Sequence, residues 1–107
     1  MKEMTNLQVS QKSEELIDLI PKKITKQYIS LISEKSLQKL LKNKDMLVTI
    51  RAFFDNDLNI SQTSKKCFMH RNTLIYRLNK IENITGLNIK KFEDAVILKL
   101  IIKFLNA

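Results

Sequence analysis

Glycine, proline and cysteine occur once each in these 107 residues, as Gly86, Pro21 and Cys67, and tryptophan does not occur. All-β folds need many tight turns, and tight turns draw on Gly and Pro. Their scarcity, beside abundant Leu, Ile, Lys and Glu, argues for an all-α fold instead. One cysteine excludes an internal disulfide and a multi-cysteine zinc site, and it is compatible with the reducing cytoplasm. No apolar run approaches the roughly 20 residues that span a bilayer. The polar stretch 1–11 has no apolar signal core, so a cytoplasmic location is expected. The sequence offers no Gly-rich phosphate loop, metal-ligand cluster or nucleophile–base pair, so neither an enzyme nor a cofactor is expected. Acidic residues are the minority, 11 against 19 basic, for a net charge of +8. Such an excess implies attraction to a polyanion without saying which one.

What is present is a succession of one-sided apolar stripes at helical spacing. Residues 1–11 read as an irregular start. Ser13, Glu14 and Glu15 open a short helix through Leu16, Ile17, Leu19 and Ile20, which Pro21 ends or follows. Ile24, Tyr28, Ile29 and Ile32 mark a second helix over about 23–33, and Leu37, Leu40 and Leu41 a third over 36–42. Residues 1–44 are thus expected to be a helical arm or the remnant of an upstream region, and 45–107 a separate domain. Asn43-Lys44-Asp45 reads as a connection with Asp45 as N-cap. Leu47, Ile50, Phe53 and Phe54 form the next stripe. Asn59, with Gln62 three residues on, has the pattern of a capping box and starts a short helix to Cys67 or Phe68. A tight turn at 68–70 leads to a longer helix from Arg71 to about Ile84, closed by Gly86. Glu93 and Asp94 suit the first turn of a last helix that extends to Leu105.

Two helices joined by about three residues make a helix-turn-helix arrangement. Ser64 is small where the second helix must cross the first, and Met69 supplies an apolar residue for the turn. Leu74, Leu78 and Ile81 fall on one face of the second helix. Asn72, Thr73, Tyr76 and Lys80 fall on the other, with Arg77 at the margin. A major groove admits one α-helix, and Arg and Asn make bidentate contacts to guanine and adenine. Thr, Tyr and Lys suit phosphates. Residues 58–91 carry seven basic side chains and one acid, a net +6 that leaves +2 for the rest of the chain. The few aromatics form no stacking platform for single-stranded RNA. The competing expectation is a helical interaction or dimerisation module with incidental charge. It is motivated by the last helix, where Ala95, Val96, Ile97, Leu98, Leu100, Ile101, Ile102, Phe104 and Leu105 leave only Lys99 and Lys103 in a narrow polar stripe. That pattern suggests one side for the core and one for a dimer.

The run Asn59–Leu74, with its His70-Arg71-Asn72-Thr73-Leu74, and the continuation Tyr76-Arg77-Leu78 resemble the C-terminal helix-turn-helix of PucR-type transcription regulators, which include purine-catabolism and sugar-diacid regulators. Thr85-Gly86-Leu87 and the acidic-then-apolar last helix match as well, so the resemblance covers about 45–105. A weaker likeness is to the DNA-binding end of the factor for inversion stimulation, a homodimer. The resemblance implies a bacterial regulator that binds double-stranded DNA, often as a homodimer. Family members usually carry a large upstream sensory region, so the chain is expected to be an excised piece or a truncated member. By position, Arg71, Asn72, Thr73, Tyr76 and Arg77 lie on the family's recognition helix. Ile75 stands where the family often has Arg, and Ser64 where Ala is usual. The candidate DNA-binding set is Ser61, Lys65, His70, Arg71, Asn72, Thr73, Ile75, Tyr76, Arg77 and Lys80. His70 reads as a turn or capping residue able to meet a phosphate, and Cys67 as a small buried hydrophobe. Lys65-Lys66 balance evenly between phosphate contact and a solvated face, and Lys39, Lys42 and Lys44 read as solvated.

Overall fold

The computed structural model describes Ser30 and residues 32–105, and these form five helices and no strand. They are α1 (Glu34–Lys42), α2 (Lys44–Asp55), α3 (Ile60–Lys66), α4 (Arg71–Thr85) and α5 (Phe92–Leu105). The all-α class is as expected. The anticipated helix over 13–20 lies outside the described residues. So does most of the one over 23–33, whose last residue, Ser33, is extended and caps α1.

Four of these five helices, α1 to α4, start where a side chain accepts from a first-turn N–H. Ser33 Oγ accepts from Ser36 N–H at 3.1 Å. Asn43 Oδ1 accepts from Met46 N–H at 3.1 Å, so Asn43 caps α2 and Asp45 lies inside its first turn. The expected N-cap at Asp45 is thereby corrected. An Asn directly after α1 adopts the extended backbone a cap requires and ends one helix while opening the next. Asn59 Oδ1 accepts from Gln62 N–H at 2.9 Å, which makes half of the anticipated capping box. The other half is missing because Asn59 N–H donates to Asn56 C=O.

The helix ends reflect the shortage of glycine. A helix commonly closes on one residue in the left-handed region, where an L side chain is strained. Gly86 takes that role for α4, with φ 76° and its N–H donating to Glu82 C=O at 2.7 Å. The other two such ends have no glycine. At the end of α2, Asp57 has φ 53°, its N–H donates to Phe54 C=O, and Leu58 N–H donates to Phe53 C=O. At the end of α3, Phe68 has φ 51°, its N–H donates to Lys65 C=O, and Met69 N–H donates to Ser64 C=O. Both are complete Schellman motifs with a non-glycine residue at the left-handed position. In each, the next residue (Leu58, Met69) packs against the core and anchors the turn.

The core is a single cluster drawn from α1, α2, α4, α5 and the α4–α5 loop. It contains Leu40, Met46, Ile50, Phe53, Leu74, Leu78, Ile81, Ile89, Ala95, Leu98 and Ile102. Leu40 belongs to it although it falls within the 1–44 segment. α4 is the central helix and packs against α1, α2 and α3. α5 buries Ala95, Leu98, Ile101 and Ile102. On its outer side Phe92 and Val96 are exposed, and the Lys99 ammonium lies 5.7 Å from the Phe54 ring centroid.

Candidate nucleic-acid interface

α3, the turn 67–70 and α4 form a helix-turn-helix unit. The turn is held by the Schellman motif described above and by His70, whose Nδ1 accepts from Asn72 N–H at 3.1 Å. His70 is therefore the N-cap of α4. A cap that accepts through Nδ1 leaves Nε2–H as the outward donor.

The buried and open faces of α4 separate as its 3.6-residue period requires. Leu74, Leu78 and Ile81 are no more than 1% exposed. Arg71, Asn72, Thr73, Tyr76 and Lys80 are exposed. Three expected contact residues lie elsewhere. Ile75 is half-buried at the edge of the apolar face, so it is a flank rather than part of the open face. Arg77 is also half-buried, and its Nη1 donates to Thr49 Oγ1 at 3.5 Å. That hydroxyl donates its own proton to Asp45 C=O at 2.7 Å, so its oxygen is oriented to accept from Arg77. Arg77 thus ties α4 to α2. His70 stands at the head of α4, between the two helices. Ser61 and Lys65 are exposed on α3.

Sequence reasoning left Thr63 unplaced and took Cys67 for a buried residue. Thr63, not Ser64, is the fully buried member, and its hydroxyl donates to Asn59 C=O at 2.6 Å. A hydroxyl satisfied within its own helix can be buried at no hydrogen-bonding cost, but most helical positions offer that carbonyl and nothing in the sequence singles out Thr63. Ser64 is half-buried. Cys67 is half-buried at the end of α3 rather than a core hydrophobe, because the chain turns away there. Met69 is partly buried against the core, as the turn requires.

Downstream, Thr85 and the α4–α5 loop fix the far end of α4. Thr85 Oγ1 donates to Ile81 C=O and accepts from Leu87 N–H. Asp94 Oδ2 accepts from Asn88 N–H at 2.9 Å, and Lys90 Nζ donates to Asn79 Oδ1 at 3.1 Å. The open face is therefore presented by a helix braced at both ends. Among the described residues no group of three or more His, Cys, Asp or Glu side chains is placed to hold a metal ion.

A short first helix, a tight turn and a second helix with one face buried and a polar face open define the helix-turn-helix class of nucleic-acid-binding domains. The chain belongs to one family within it: residues 46–104 match the PucR C-terminal helix-turn-helix domain. Family membership makes this a DNA-binding domain of the transcription-regulator type. Among its relatives is the purine catabolism regulatory protein of Bacillus subtilis, 30% identical over 89 residues, covering 83% of this chain and 17% of the relative. The carbohydrate diacid regulator of Escherichia coli is 46% identical over 50 residues, covering 47% of this chain and 13% of the relative. An uncharacterized Bacillus subtilis protein, YsfB, is 40% identical over 73 residues, covering 68% of this chain and 20% of the relative. The chain thus spans at most a fifth of the length of these three. No solved structure matches it significantly.

Proposed function

We propose that this domain reads a specific sequence in double-stranded DNA by inserting α4 into the major groove, as the DNA-binding part of a bacterial transcription regulator. One observation carries the reading. The open face of α4 presents Arg71, Asn72, Thr73, Tyr76 and Lys80, while Leu74, Leu78 and Ile81 hold the opposite face rigidly in the core. Arg71 and Asn72, in the first turn, have the reach and donor–acceptor pattern for base edges. Thr73, Tyr76 and Lys80, with His70, Ser61 and Lys65, have groups that suit flanking phosphates. Ile75 offers a methyl surface at the helix edge. Arg77, tethered to Thr49, acts first by fixing the angle of α4 on α2. The same reading includes a cytoplasmic location, a homodimer on a two-fold site, a sensory region upstream, and no enzymatic chemistry in this domain. The names of the purine catabolism and carbohydrate diacid regulators support a role in control of catabolic genes.

The test is fluorescence anisotropy with duplexes selected from a random pool. Arg71→Ala combined with Asn72→Ala is expected to abolish preference for the selected sequence while the melting curve stays cooperative. Undiminished preference in the folded double variant refutes the reading.

A second reading rests on Phe92 and Val96, which are exposed beside Phe54 and Leu58 in a shallow apolar cleft between α5 and the end of α2. It makes the domain an interaction module first. Sedimentation of the free chain distinguishes the two: self-association without sequence-dependent DNA affinity favours the module.

A further inference from the structure

Residues 35–44 contain four lysines and no acid. Three of them, Lys39, Lys42 and Lys44, converge with Lys80 of α4 on one open groove, whose floor is made by Met46 and Ile84 and whose one acid is Asp45. All four lysines are exposed, and among the described residues none makes a hydrogen bond or ion pair through its ammonium group. Lys39 and Lys42 share a face of α1 because they are three residues apart, and Lys44 follows at the Asn43 junction. Most of this patch lies before residue 46, outside the part of the chain that matches the family.

We propose that Lys39, Lys42 and Lys44 form a second phosphate-binding patch that clamps the DNA strand running alongside α4. The proposal rests on the reading of α4 as a recognition helix and deepens it. The groove of B-DNA is about 12 Å wide and a helix with its side chains about 10–12 Å across. A helix in the groove leaves no space beside it, so an element flanking it meets the phosphate wall. α1 and the α1–α2 junction flank α4 in this way, next to Lys80 in its third turn. Four lysines against one carboxylate match a row of phosphates in charge. Long flexible side chains without preset partners suit a backbone that carries no sequence information. The clamp therefore supplies affinity and register, and α4 supplies discrimination.

The experiment compares the chain with its Lys39→Gln/Lys42→Gln/Lys44→Gln variant by anisotropy from 50 to 200 mM salt, on selected and scrambled duplexes. Loss of three phosphate contacts lowers the exponent of the salt dependence by about 2.7, so the variant loses about 40-fold less affinity over that range than the parent. At low salt it binds both duplexes more weakly by the same factor. The Arg variant at all three sites restores the slope. A folded Gln variant with the parent's slope and affinity overturns the proposal, and so does one that loses preference for the selected duplex but keeps the slope. If the parent shows no sequence preference at all, the reading of α4 fails, and the slope difference on any duplex still decides whether the patch binds phosphate.

Discussion

Replacing Phe68 by glycine is expected to stabilise the fold. Phe68 holds the left-handed position at the end of α3 with φ 51°, and its side chain is 98% exposed. Almost no buried area is lost on removing the ring. Left-handed backbone costs an L residue about 1–2 kcal/mol, and glycine avoids that cost. Glycine also gains freedom in the unfolded chain, which returns about 0.4–1 kcal/mol against the native state. The difference leaves a net gain of about 0.5–1 kcal/mol, or an increase in Tm of about 2–8 °C for a domain of this size. Phe68→Ala keeps the strain and serves as the control, with no gain expected. Gly86→Ala runs the same physics backwards. Gly86 has φ 76° and an added Cβ would meet nothing within 4 Å, so the loss there is purely conformational and of similar size. Thermal and urea unfolding followed by circular dichroism measures all three. If Phe68→Gly is no more stable than Phe68→Ala, strain at the turn is not what distinguishes this position and the argument fails.

Other perturbations address the packing and the interface. Leu78→Ala removes a side chain that is 1% exposed at the centre of the core, and a loss of about 2–5 kcal/mol is expected in urea unfolding. His70→Ala removes the cap on α4 at a cost of about 1 kcal/mol, which His70→Asn largely restores in the same measurement, since Asn caps equally well. Asn72→Ala alone should cost about 1–3 kcal/mol of binding on the selected duplex and relax preference at one base position, as read by competition with single-base variants of the site.

Much of α4 is legible in the one-dimensional sequence. Its buried residues recur every three to four positions, and Gly86 marks its end without reference to any other helix. The Asn59 cap is legible for the same reason, since the acceptor and the N–H it serves are three residues apart. Asp45 was a poorer guide because Asn43, two residues earlier, competes for the same role and lies where the backbone is already extended. Arg77 shows the limit for the site. Its place in the period puts it at the margin of the open face, and nothing nearby in sequence announces Thr49, 28 residues away, as its partner. Cys67 illustrates a related limit: residue type suggests burial, while the direction of the chain at a helix end decides exposure.

The sequence by itself determined that the protein is helical, where α4 begins and ends, and which of its faces is buried, because helical period, capping and glycine's backbone freedom act over a few residues. Only the tertiary structure decided that Thr63 is buried, that Arg77 spans to α2, and that lysines on α1 stand beside Lys80. Those relations depend on how helices cross, and the crossing is set by many packed side chains at once. The scarcity of glycine connects the two levels. It announces an all-α chain from composition alone, and the folded molecule shows its consequence, two helix ends turned by Asp57 and Phe68 in a conformation that glycine adopts without strain.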